Sequence, residues 1–204
     1  ENTGGILEAF SNSRWGYRRL ELNSSGQFTC RVAVDGSGNI YVLSRQLNNT
    51  AAGGFQVTKL DSSLTVQWAT TISNSDSNGV VPGDIHVGVD GNIYFCGQWS
   101  LATQSYRQTA TVFKMNTSGT LQWSRYIYGS NSGAVNSGEA QISFFSTRSL
   151  TTSSSSVYVV AGYKPNNAGN NVSAITMKLP LDGSGTATGI TFPSPASSNT
   201  FNVN

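Results

Sequence analysis

One unit of about 55 residues recurs along this chain, and the recurrence constrains the fold more than any other feature. Asp35-Gly36-Ser37-Gly38-Asn39-Ile40-Tyr41-Val42 returns as Asp90-Gly91-Asn92-Ile93-Tyr94-Phe95, and in degraded form as Ser153-Ser154-Ser155-Ser156-Val157-Tyr158-Val159. Downstream of each lies a second element. Val57-Thr58-Lys59-Leu60-Asp61 leads to Trp68, and Val112-Phe113-Lys114-Met115-Asn116 leads to Trp123. Ile175-Thr176-Met177-Lys178-Leu179 leads to Asp182-Gly183-Ser184-Gly185 with no tryptophan. Trp15 occupies the same place ahead of the first full copy.

Within each unit the apolar residues alternate, as in Val32, Val34, Ile40 and Val42, or Val87, Val89, Ile93 and Phe95. No stretch keeps helical spacing, and Gly, Ser, Thr and Asn interrupt the chain at short intervals, so the chain is expected to be all-β. Each unit accommodates four antiparallel strands. These are expected near 28–34, 39–45, 54–61 and 65–73; near 84–89, 92–98, 108–116 and 120–128; and near 140–147, 156–163, 172–179 and 186–192. Asp-Gly-x-Gly-Asn between alternating runs is hairpin chemistry, because Gly and Asn tolerate positive φ and an Asp side chain can hold turn amides. Asn116-Thr117-Ser118-Gly119 serves an outer hairpin in the same way.

A four-stranded sheet with two apolar faces must stack on neighbours, which is the logic of a β-propeller, with one Trp per unit wedged between sheets. The expected organisation is a propeller-like repeat domain over 1–192. It comprises a half-blade at 1–22, blades at about 28–73, 84–128 and 140–192, and a Ser/Pro/Asn-rich tail or linker at 193–204. Trp15, Trp68, Trp123, Asp35, Asn39, Asp90 and Asn92 are the structural residues of this repeat. Closed propellers need four to eight blades. The half-blade and the C-terminal strands could complete a fourth, copies could assemble around an axis, or the chain is part of a larger protein, which is the favoured expectation. The opening Glu1, with no signal-like segment, is expected to reflect processing, trimming or a cut from something longer. The third unit lacks both the Asp-Gly turn and the Trp, as a terminal unit would.

The runs DGSGNIYV, DGNIYF, VTKLDSSLTVQW and VFKMNTSGTLQW resemble the β-propeller repeats known as SBBP repeats, related to the PQQ-like and NHL propellers. The likeness spans roughly residues 13–185. The ending, Lys178-Leu179-Pro180-Leu181-Asp182-Gly183-Ser184-Gly185-Thr186 followed by a Ser/Thr/Pro-rich tail, resembles the end of such arrays in virion structural proteins of marine tailed phages. The resemblance implies a virion component such as a tail fibre, baseplate or surface appendage. Its partners would be other virion proteins or copies of itself. A bacterial cell-surface propeller that scaffolds assembly, extracellular or at the cell surface, is the alternative, and a PQQ-type dehydrogenase a more distant one.

Composition bears on chemistry. Charged residues make up 11% of the chain, against roughly 25% in an average domain, while Ser, Thr, Asn and Gly supply about 45%. A net charge of +2 gives no basic footprint, so nucleic acid is not an expected partner, and Arg14, Arg18 and Arg19 read as a solvated strand face. No apolar run is long enough for a membrane helix. Catalysis has little to draw on. The single histidine, His86, opens a strand, no nucleophile elbow is present, and Glu139 and Asp84 are the sole carboxylates placed ahead of inner strands. The Asp35 loop has Ile40 where a calcium loop needs Gly and Gln46 where it needs Glu. Cys30 and Cys96 stand at non-equivalent places, so buried free thiols are expected rather than a bridge. Asn23, Asn48, Asn116 and Asn171 head Asn-x-Ser/Thr triplets, which a chain this rich in those residues produces by chance. The expectation is no enzyme, no cofactor and no metal.

Recognition then falls to loops and aromatics. Trp99, Tyr106, Tyr126, Tyr128 and Tyr163 lie near strand ends among Asn, Gln and Ser, a mixture suited to a host surface glycan or a protein. Most of these aromatics are expected to pack between blades, and Trp99, where strand gives way to loop, is the best candidate among them for exposure. The long connections 45–54, 99–107, 129–138 and 163–171 vary in length between units.

Overall fold

The computed structural model describes residues 6–11, 14–19, 30–46, 54–73, 77–101, 107–130, 141–142, 149–164, 173–184 and 200–203. Every regular element among them is a strand, and every strand pairing is antiparallel. No helix there is long and apolar enough to cross a membrane.

The first sheet is a four-stranded meander of β3 (Arg31–Val34), β4 (Ile40–Gln46), β5 (Gly54–Leu60) and β6 (Val66–Ser73). The second repeats it with β7 (Ser77–Val87), β8 (Ile93–Leu101), β9 (Arg107–Met115) and β10 (Leu121–Ser130). Ahead of them, β1 (Ile6–Ser11) and β2 (Arg14–Arg19) form a hairpin that pairs Phe10 with Trp15. The period-2 pattern sets the register. Ile40 stands opposite Leu60 and Ile93 opposite Met115, so equivalent residues of the two sheets share a face.

The third sheet departs from expectation. Its inner strand, expected over 140–147, is split into β11 (Gln141–Ile142) and β12 (Ser149–Thr152), both on one edge of β13 (Ser156–Lys164), with β14 (Ser173–Pro180) on the other. Residues 143–148, between β11 and β12, lie outside the described residues, and the pairing with β13 shifts across them, from Ile142 opposite Tyr163 to Ser149 opposite Val160. The expected strand at 186–192 lies outside the described residues. The segment 193–204, expected as a tail, contributes β15 (Thr200–Val203), which extends the second sheet by pairing with β10.

The sheets stack face to face. Tyr41, Leu43, Phe55 and Val57 of the first sheet pack against Ile85, Ile93, Phe95, Trp99, Phe113 and Met115 of the second. The opposite face of the second sheet, with Tyr94, Cys96, Ala110 and Val112, packs on Leu150, Val157, Val159, Ala161, Met177 and Leu179 of the third. Successive residues of β8 thus serve two different cores, which is why that strand reads as nearly continuous apolar sequence. Gly97 lets the sheets close. A Cβ there would lie 2.6 Å from Phe55 Cζ, so the ring of Phe55 fills the notch and meets Trp99 edge-on with centroids 5.4 Å apart.

Candidate functional site

The polar chemistry of the described residues converges on a cluster that occurs twice. Register places Tyr41 opposite Lys59 and Lys59 opposite Trp68; in the second sheet the same row is Tyr94, Lys114 and Trp123. A turn at one end of the row supplies a carboxylate. Asp35 accepts hydrogen bonds from the Ser37 and Asn39 amides (2.9 Å each), from Asn39 Nδ2 (2.8 Å) and from the Tyr41 hydroxyl (3.1 Å). Asp90 accepts from Asn92 Nδ2 (2.9 Å) and the Tyr94 hydroxyl (2.8 Å), and forms an ion pair with Lys114 at 2.9 Å.

The two aspartates do the same work from different places. Each turn closes on a glycine with positive φ, Gly38 at 81° and Gly91 at 75°. Asp35 accepts the Gly38 amide as the first residue of its turn, whereas Gly88 holds that place in the second and Asp90 stands two residues later. Gly88 leaves room for the tyrosine, since a Cβ there would sit 2.6 Å from the Tyr94 ring.

These environments shift the titrations. Partial burial pushes the Asp90 carboxyl up, but hydrogen bonds from Asn92, Lys114 and Tyr94 outweigh it and hold the group at about 2. Burial and the Asp35 carboxylate push Tyr41 up to about 12. The Lys114 ammonium also lies 5.3 Å from the centre of the Tyr94 ring, and Lys59 takes the same position over Tyr41 at 5.5 Å.

The row ends on the next sheet. Trp68 Nε1 donates to the Thr117 carbonyl at 3.0 Å, and Thr70 Oγ1 donates to the Gly119 carbonyl at 3.0 Å. One unit on, Trp123 Nε1 donates to the Leu181 carbonyl at 3.0 Å, Lys114 donates to the same oxygen at 3.1 Å, and Arg125 donates to the Gly183 carbonyl. Gly119 (φ 83°) and Gly183 (φ 69°) lie flat beneath the indoles, where a Cβ would come within 3.1 Å and 2.8 Å of the rings. Trp68 and Trp123 are therefore half-buried lids on the following turn rather than fully buried wedges. Trp15 stands in β2; its side chain lies outside the described residues.

Trp99, the candidate for exposure and recognition, packs between the sheets instead. It is fully buried, because β8 runs on to Leu101 and Trp99 shares the inward face of Ile93 and Phe95. Tyr106 lies outside the described residues. Tyr163 lies in β13 opposite Ser173, as Tyr126 and Tyr128 lie in β10, and their side chains are likewise outside the described residues. Asp84 is structural in its contacts: its carboxylate accepts the Ile85 amide (2.9 Å) and, from the third sheet, the Leu150 amide (2.8 Å). Glu139 lies outside the described residues, and His86 is half-buried in β7. Both cysteines are free thiols; Cys96 is buried, which pushes it up to about 12, whereas Cys30 is exposed rather than buried. Among the described residues no three His, Cys, Asp or Glu side chains gather.

Topology sorts the connections by end. In each meander the Asp and Asn turns join the first strand to the second and the third to the fourth, at one end of the stack. The connections 47–53, 102–106 and 165–172 leave from the other end. The turn end is engaged in the intramolecular bonds given above, and the connections at the other end lie outside the described residues. Compared with protein-family models and with curated proteins, the chain matches none.

Proposed function

We propose that the chain is a propeller-like, non-catalytic structural and adhesive module, a tailed-phage virion component such as a tail fibre, baseplate or surface appendage, whose loops contact host surface glycan or protein. The observation that carries this reading is the division of labour between the two ends. Asp35, Asp90, Tyr41, Tyr94, Lys114, Trp68, Trp123 and Arg125 hold turn to strand and sheet to sheet. The varied connections, rich in Asn, Gln, Ser and Thr, join strands whose ends lie away from those turns. The resemblance to SBBP repeats and to phage array endings supports the virion assignment. Loops on a rigid scaffold are the usual place for recognition, and a surface of hydroxyls and amides bonds neutral saccharides with little dependence on salt.

The test is an exchange of residues 102–106 for a short Gly/Ser turn, beginning beyond the buried Trp99. Folding is expected to survive, and attachment to host cells or to a glycan array is expected to fall at least tenfold. Unchanged attachment with intact stability would overturn the loop assignment. Hydrolysis of a host polysaccharide, lost in Glu139→Gln or Asp84→Asn, would overturn the non-catalytic one.

A further inference from the structure

The cluster of tyrosine, lysine, carboxylate and indole in the first two sheets is present only in part in the third. Its row survives. Thr151 stands opposite Tyr158 and Tyr158 opposite Lys178, as Tyr41 stands opposite Lys59 and Tyr94 opposite Lys114. The carboxylate is missing. Asp35 stands six residues before Tyr41 and Asp90 four before Tyr94, whereas the corresponding residues ahead of Tyr158 are Thr152 and Ser154. The indole is missing too. Trp68 and Trp123 follow their lysines by nine residues, and the ninth after Lys178 is Ala187.

In the first two turns one aspartate does two jobs, holding turn amides and taking the tyrosine hydroxyl. The third turn is a residue shorter, since Thr152 pairs with Val157 where Val87 pairs with Ile93. There the first job passes to a neutral group. Ser153 Oγ accepts the Ser155 amide at 3.4 Å and the Ser156 amide at 3.2 Å. The second job passes to none: among the described residues nothing bonds the Tyr158 hydroxyl or the Lys178 ammonium. In the second sheet Lys114 is held by Asp90 and by the Leu181 carbonyl of the following sheet. Lys178, Thr151 and Thr176 are exposed and Tyr158 is half-buried, so this part of the face meets water.

We propose that the outer face of the third sheet is a binding site for a carboxylated saccharide, a uronic acid residue. Its carboxylate takes the place that Asp90 has in the second sheet, accepting from the Tyr158 hydroxyl and the Lys178 ammonium, a charge-assisted pair of donors. Its ring lies against Tyr158 as Trp123 lies against Tyr94, where the ring centroids are 6.2 Å apart. The hydroxyls of Thr151 and Thr176 flank the row and meet those of the sugar. An acidic peptide fits less well, because the row offers one aromatic ring among hydroxyls and no apolar side chain to anchor a peptide. The site stands apart from the loop surface, and its ion pair makes it sensitive to salt.

The test is an NMR titration of the whole chain with glucuronate, with glucose and acetate as references. The amides of Thr151, Tyr158 and Lys178 are expected to shift with glucuronate, and either reference to bind at least tenfold more weakly. Lys178→Gln and Tyr158→Phe should each weaken glucuronate at least tenfold with Tm unchanged, while Lys178→Arg, which keeps the charge, retains it. Exchange of residues 102–106 should leave this binding as it is, which separates the site from the loop assignment. No shift at about 20 mM glucuronate, well above the millimolar range of weak sites, would overturn the proposal. So would binding that is indifferent to Lys178→Gln, or equal for glucose. Acetate bound as tightly as glucuronate would remove the sugar from the assignment, and an aspartate-containing peptide bound more tightly would transfer the site to a protein partner.

Discussion

Two glycines and one carboxylate carry more of this architecture than their size suggests. Gly119 and Gly183 are needed twice over, for a backbone with positive φ and for an indole lying where a Cβ would be. Gly119→Ala and Gly183→Ala are each expected to cost about 2 kcal/mol or more, as the strain of a left-handed residue adds to the displaced ring. Trp68→Ala and Trp123→Ala should cost about 2–3 kcal/mol, below the 3–5 typical of a fully buried tryptophan. Chemical denaturation of the four variants checks this, and a Gly→Ala change without effect would remove the lid from the account. Asp90 gives the stack a pH dependence of known sign. Its folded value of about 2 lies below the ordinary 3.8. Its contribution is therefore complete above that ordinary value and is lost as the pH falls through about 2. Asp90→Asn should lower stability at neutral pH and flatten the acid limb of the stability curve between about pH 4 and 2.

The strands and turns of the first two units were legible because alternation and turn chemistry agree there. The sequence places strands at 39–45 and 54–61, and the structure has Ile40–Gln46 and Gly54–Leu60. Trp99 became a candidate for exposure because the expected strand stops at 98, whereas β8 runs on to Leu101. The parity of Ile93, Phe95, Gly97 and Trp99 already points all four side chains to one side, and following it would have placed the indole in the core. The Tyr–Lys row was present in every copy, yet its role depends on cross-strand register, which sequence spacing leaves open. The split between β11 and β12 and the late strand β15 had no periodic signal long enough to read. β15 offers a prediction at this scale. Its four residues pair with Ile127–Ser130 of β10, so deleting residues 199–204 should leave the fold in place and bare that edge. At about 2–4 °C per kcal/mol for a chain of this size, a loss of a few degrees in Tm is expected. Faster amide exchange should be confined to 127–130, and faster exchange throughout the second sheet would show that β15 does more than cover an edge.

The molecule as a whole is a one-dimensional stack in which the middle sheet belongs to two cores. One face of β8 and β9 is committed to the first sheet through Phe95 and Phe113, and the other to the third through Tyr94, Cys96 and Val112. Stacks of this kind are held by nearest-neighbour interfaces, so damage should spread one interface at a time. Phe55 is the place to test this, because its ring sits over Gly97, edge-on to Phe95, Trp99 and Phe113. Phe55→Ala empties that notch and should cost about 3–5 kcal/mol. Hydrogen exchange should then quicken in β4, β5 and β6, while amides of β13 and β14, held by Val157, Val159, Met177 and Leu179 against the second sheet, keep their protection. Uniform loss across all three sheets would mean that the stack opens as one cooperative body. Loss limited to the first sheet would mean that each sheet-to-sheet interface opens on its own, and that the loop end of the third sheet keeps its shape when the first is gone.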